Sequence, residues 1–180
     1  AMGGDSAPDM VVDGVARARM RFPTVHFLLF GDQTRIEPLL ASHNHIQDAV
    51  TVRHTDQFVS SEEKPSVALR QGKQSSMQLA INAVSDGEAK AVVSAGNTGA
   101  LMAMAKVTLK TLNGIDRPAI GGLIPTRLGE SVMLDLGANV DCDANNLVQF
   151  GMLGAAYART VLGRERPTVG LINVGQEEIK

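Results

Sequence analysis

The stretch Ala89-Lys90-Ala91-Val92-Val93, followed by Ser94-Ala95-Gly96-Asn97-Thr98-Gly99-Ala100, decides the fold, because an apolar run ends in small residues where an apolar-periodic helix begins. Strand, turn and helix in that order are the repeating unit of a parallel, helix-covered sheet. Small residues let the backbone come close to a ligand, and the first helical N–H groups and the dipole face negative charge. Ser94, Asn97 and Thr98 add side-chain donors to this turn. The glycine spacing fits neither a dinucleotide fingerprint nor a P-loop, so a Rossmann or Walker assignment does not follow. Two readings stand side by side: an anion site, and an ordinary N-capped helix behind a glycine turn.

Outward from this unit, strands and helices alternate. Upstream, a helix runs from Pro8, at the first helical position, to Arg21, and Val25–Phe30 reads as a strand closed by Gly31-Asp32. A short helix over Thr34–Ser42 and a strand over Ala49–Arg53 follow. Thr55–Lys64 has little periodicity and stops at Pro65, which predicts a surface loop. Helices are predicted over Ser66–Gln71 and Ser75–Ser85, the second stopped by Asp86-Gly87. Downstream, the helix after the turn carries Leu101, Met104, Ala105, Thr108 and Leu112 on one face. Strands are predicted at Ala119–Ile124, Ser131–Leu136 and Thr168–Gly175, with a long helix over Asn145–Leu162.

Composition narrows the function classes. The 180 residues are 44% hydrophobic with a net charge of -2, which fits a globular α/β protein. Basic residues are scattered and Trp is absent, so a nucleic-acid partner is not expected. Cys142 is the only cysteine, which excludes an internal disulfide and a thiolate metal cluster; its default role is a buried, inert thiol. No run approaches the ~18 apolar residues of a membrane span. The chain opens on Ala1-Met2-Gly3-Gly4-Asp5, a glycine turn where an α/β unit would normally supply a strand first. It is therefore expected to be the N-terminal part of one larger α/β catalytic domain, whose first strand and C-terminal half lie outside it.

Asn97, Asn139 and Asn173 all stand at predicted strand ends, where open α/β sheets bind ligands. Neighbouring strands would bring these amides, the glycine backbones and Asp135, Asp141 and Glu177 to one crevice. Asp135 sits inside the apolar run Met133-Leu134-Asp135-Leu136, where a carboxylate needs hydrogen bonds. It is either a ligand-binding group or an acceptor for backbone N–H groups of an adjacent loop. Asp141 and Asp143 could hold Mg²⁺, but capping the following helix is the favoured use, and no metal or other cofactor is expected. The histidines are assigned no chemistry. Arg127 and Glu130 fall in a hairpin or connecting loop, in a solvated or dimer-contact role; Arg70 and Lys73 complement a helix end or meet an acidic partner.

Ala1-Met2-Gly3-Gly4-Asp5, Ser94 to Met102, Gly114 to Ala119, Leu134 to Asp141, Leu147-Val148-Gln149-Phe150 and Leu171-Ile172-Asn173-Val174-Gly175 together resemble the PlsX family of bacterial phosphate acyltransferases. The resemblance covers essentially the whole chain. It implies a three-layer, mostly parallel sheet with helices on both faces, akin to isocitrate and isopropylmalate dehydrogenases and phosphotransacetylases. It also implies transfer of a fatty acyl group from acyl carrier protein to inorganic phosphate, by a cytoplasmic homodimer peripheral to the inner face of the membrane. A membrane-bound glycerol-3-phosphate acyltransferase is the implied partner. Such a reaction needs no enzyme nucleophile, because phosphate itself attacks the thioester.

On this reading Gly3, Gly4, Asp5, Ser94, Gly96, Asn97, Thr98 and Gly99 surround phosphate, together with Asp135, Gly137, Asp141 and Glu177. Asn139 and Asn173 donate to the oxyanion or hold the pantetheine arm. Lys180 neutralises phosphate or thioester oxygen; its alternative is a solvated lysine. A short-chain phosphotransacetylase acting on acyl-CoA and a non-catalytic carrier-protein docking fragment are the competing assignments.

Overall fold

The computed structural model describes residues 1–139 and 141–172. They form an α/β chain of two compact units that divide between Lys110 and Thr111.

In the first unit, helix α1 (Asp9–Arg21) precedes strand β1 (Phe27–Gly31), helix α2 (Gln33–Ala41) and strand β2 (Val50–His54). Pro8 is the residue before α1, one position earlier than predicted. The two strands pair in parallel from Phe27 opposite Val50 to Gly31 opposite His54. Helix α2 makes the crossover that a parallel pair requires. Its cap is Asp32, whose carboxylate accepts from Thr34 N at 2.9 Å and Thr34 Oγ1 at 2.7 Å. The hydroxyl bond from Thr34 holds Asp32 below the usual carboxylate range. A 3-10 helix, Asn44–Ala49, fills the space where only a connection was predicted, burying Ile46 completely. Met2, Val12, Leu29, Ile36 and Ile46 form one core cluster.

Helices α3 (Pro65–Gln71), α4 (Ser76–Ser85) and α5 (Thr98–Leu109) complete this unit around a second cluster that includes Val59, Ala68, Met77, Ile81, Ala100 and Met104. Each start has a local cause. Pro65 opens α3 at a position where no N–H is needed, and Ser75 Oγ caps α4 by accepting from Gln78 N. Thr55–Lys64 is a loop, as its sequence predicts.

Ala89–Val93 is not a strand. Val92–Ala95 and Leu28–Phe30 line the same cleft, of about 80 Å³, with Ala1 and Gly3. Among the described residues the run pairs with no strand, and Val93 is 96% exposed. Hydrophobicity marked the run as extended, but a strand exists only through its neighbour.

In the second unit, strands β3 (Gly122–Thr126) and β4 (Gly129–Met133) pair antiparallel and lead to helix α6 (Ala144–Leu162). The described residues therefore hold one parallel and one antiparallel two-stranded sheet, not the mostly parallel sheet expected. The cause is the short Thr126–Gly129 connection, with Gly129 at φ +119° and Thr126 Oγ1 donating to Gly129 O at 2.7 Å. A connection that short turns the chain straight back. Thr168–Ile172 forms no strand, and the rest of that predicted strand lies outside the described residues.

Candidate functional site

The turn that leads into α5 is built by close backbone approach. A Cβ on Gly3 would lie 2.8 Å from Gly96 Cα, and one on Gly96 would lie 3.2 Å from Gly3 Cα. Gly4 adopts φ +105°, which other residues rarely take. The Gly3-Gly4-Asp5 and Ser94–Gly96 turns thus touch through main chain, with Ser94 Oγ accepting from Gly96 N at 3.2 Å. Thr98 and Gly99 are exposed at the start of α5, where helical N–H groups lack intrahelical partners.

Asn97 sits at the centre of this turn, but its side chain is engaged. Oδ1 accepts from Ala100 N at 3.0 Å, capping α5. Nδ2 donates to Ser60 O and Ser61 O at 3.1 Å and to Glu63 O at 2.8 Å. Of the two readings of the turn, the capped helix describes these bonds, and Thr98 and Gly99 stay exposed beside them.

Asp135 accepts from Ile120 N and Asn139 N, each at 2.7 Å. Of its two readings, the one in which it serves backbone N–H groups describes these bonds. Asn139 Nδ2 donates to Pro118 O at 3.0 Å and to Asp135 Oδ2 at 3.1 Å. Both amide hydrogens of Asn139, expected to donate to the oxyanion or to hold the pantetheine arm, are engaged within this turn. Gly137, at φ +91°, makes the bend between the two residues possible. Asp141 is exposed, and its carbonyl accepts from Arg117 Nη1 at 3.1 Å. Asp143, not Asp141, caps α6, in a reciprocal capping box with Asn146. Cys142 is exposed, against the expectation of a buried thiol, because it lies in the turn just before that cap. Asn173, Glu177 and Lys180 lie outside the described residues.

Sequence reasoning missed the support beneath the Gly114–Pro118 turn. Buried Gln149 accepts from Asp116 N at 2.8 Å and donates to Asp116 Oδ2 at 2.7 Å, while Asn145 Nδ2 donates to the same oxygen at 3.1 Å. Asn145 and Gln149, four apart and so on one face of the helix, were the available signal. The role of the Thr55–Lys64 loop was also invisible, since its bonds come from Asn97, more than thirty residues away.

These features define an α/β protein whose glycine-rich turns and engaged amides organise the start of one helix and the end of one hairpin. The chain belongs to the family described as "Fatty acid synthesis protein", which matches residues 1–180. It is 61% identical over 180 residues to the phosphate acyltransferase of Paramagnetospirillum magneticum, 62% to that of Rhodospirillum rubrum and 63% to that of Rhodospirillum centenum. Each alignment covers 100% of this chain and 51%, 52% and 51% of the relative, respectively. The chain thus spans about half the length of the curated relatives it matches.

Proposed function

We propose that the full-length protein transfers a fatty acyl group from an acyl carrier protein thioester to inorganic phosphate, giving acyl phosphate for phospholipid synthesis. The observation that carries this reading is identity above 60% along the whole chain to proteins named phosphate acyltransferase. In the step, a phosphate oxygen attacks the thioester carbonyl carbon, the C–S bond breaks, and the carrier thiol leaves with a proton. The N–H groups at the start of α5, with Ser94 Oγ, Thr98 Oγ1 and the Gly3–Asp5 turn, suit the phosphate end of that reaction. Asp135 and Asn139 shape the second unit's turn, with Gly137 and Asp141 beside them. Asn173, Glu177 and Lys180 complete the proposed set, with Lys180 neutralising oxygen charge.

The chain is on this proposal part of a larger α/β catalytic domain with a phosphotransacetylase-like sheet. Val148, Met152 and Val161 of α6 are exposed, which suits a helix covered in a larger body. Among the described residues no helix is long and apolar enough to cross a membrane. A homodimer at the inner membrane face, passing acyl phosphate to a glycerol-3-phosphate acyltransferase, is the proposed setting.

The test supplies the full-length protein with an acyl carrier protein thioester and phosphate, traps acyl phosphate with hydroxylamine and counts released thiol. Phosphate-dependent formation of both products is expected. Thiol release that ignores phosphate would overturn the proposal, and turnover of acyl-CoA alone would favour a short-chain phosphotransacetylase.

A further inference from the structure

The Thr55–Lys64 loop is tied down at its two ends by different means. Near its start, Thr55 is buried and its hydroxyl donates to Gln74 O at 2.7 Å, Gln57 O accepts from Ser76 N at 2.8 Å, and Val59 enters the core. Its far part, Ser60–Glu63, is joined to the rest of the described residues by hydrogen bonds from a single side chain, that of Asn97. A second contact comes directly after it. A Cβ on Gly99 would lie 2.9 Å from Pro65 Cγ, so the absence of a side chain there lets the end of the loop close on the start of α5.

We infer that Asn97 is a positioning residue that staples Ser60–Glu63 against the start of α5, and that this loop is thereby a wall of the phosphate side of the site. The inference rests on the acyltransferase reading for the phosphate and on geometry alone for the staple. Asn97 has two amide hydrogens and three carbonyl acceptors already facing them, so it has no donor left for an anion. Its Oδ1 is engaged as the helix cap. What it supplies to a ligand is the place of the loop.

Two substitutions in the full-length protein separate these functions. Asn97→Ser keeps a neutral capping oxygen for α5 but removes the amide that reaches the loop. Gly99→Ala leaves Asn97 in place and pushes Pro65 away. Glu62 and Glu63 make the loop a substrate for a glutamate-specific protease, which reads the staple directly. Asn97→Ser is expected to raise cleavage there by about tenfold, the effect of losing one or two net hydrogen bonds, and Gly99→Ala to raise it too by displacing Pro65. Both are expected to raise KM for phosphate by more than they lower kcat, with KM for the thioester the less affected.

A higher phosphate KM in Asn97→Ser without faster cleavage would make Asn97 a direct ligand and overturn the inference. Faster cleavage with an unchanged phosphate KM would overturn it too, by removing the loop from the site. If the parent protein forms no acyl phosphate, the functional reading falls, and the cleavage measurement by itself still upholds or overturns the staple.

Discussion

Asp135 shows how a single carboxylate organises the backbone around it. It is placed between Leu134 and Leu136, and two backbone N–H groups at 2.7 Å compensate its oxygens for the apolar neighbours. Ile120 and Asn139 come from either side of the β3–β4 hairpin, so the carboxylate extends the pairing beyond Met133, where the ladder stops. Leu136 N adds a bond to Ile120 O at 2.9 Å. Asp135→Ala leaves both N–H groups without an acceptor and is expected to cost about 2 to 4 kcal/mol. Asp135→Asn retains one acceptor oxygen and should cost roughly half as much. Urea unfolding of the full-length protein checks both; no loss in Asp135→Asn would show that the carboxylate's second oxygen contributes nothing.

Two glycines that look alike in the sequence behave in opposite ways once the elements are in place. Gly14 lies inside α1, and a Cβ there would meet nothing within 4 Å. Gly14→Ala should therefore stabilise by about 0.5 to 1 kcal/mol, through helix propensity alone. Gly3 has Gly96 Cα at 2.8 Å from its missing Cβ, and backbone cannot step aside as a flexible side chain can. Gly3→Ala should destabilise by about 1 to 3 kcal/mol. Thermal unfolding of the two variants side by side gives the comparison, and a loss in Gly14→Ala would contradict the helix as described. The same contrast marks what was legible in advance. Helix starts at Ser75, Asn97 and Asp143 and the stop at Gly87 are local, written within four residues, and the sequence showed them. Asn97 was visible as a polar group in a glycine turn. Its three carbonyl partners were not, because nothing in Ser60–Glu63 marks them as acceptors for a distant amide. The run Ala89–Val93 failed for a related reason: apolar character is local, whereas pairing is not.

At the scale of the first unit, two core clusters divide the packing: Met2, Val12, Leu29, Ile36 and Ile46 surround the parallel pair, and Val59, Ala68, Met77, Ile81, Ala100 and Met104 lie among α3, α4 and α5. Ile36 and Ile81 are completely buried, one in each cluster. Ile36→Ala and Ile81→Ala should each cost about 2 to 5 kcal/mol, because each removes a buried side chain and leaves a cavity. Val59 ties the Thr55–Lys64 loop to the second cluster alone, so Ile81→Ala should also speed cleavage at Glu62 and Glu63, whereas Ile36→Ala should not. Urea unfolding and glutamate-specific proteolysis of the full-length protein check the pair. Equal acceleration in both variants would show that the loop follows the stability of the whole unit and not that of the cluster beneath it.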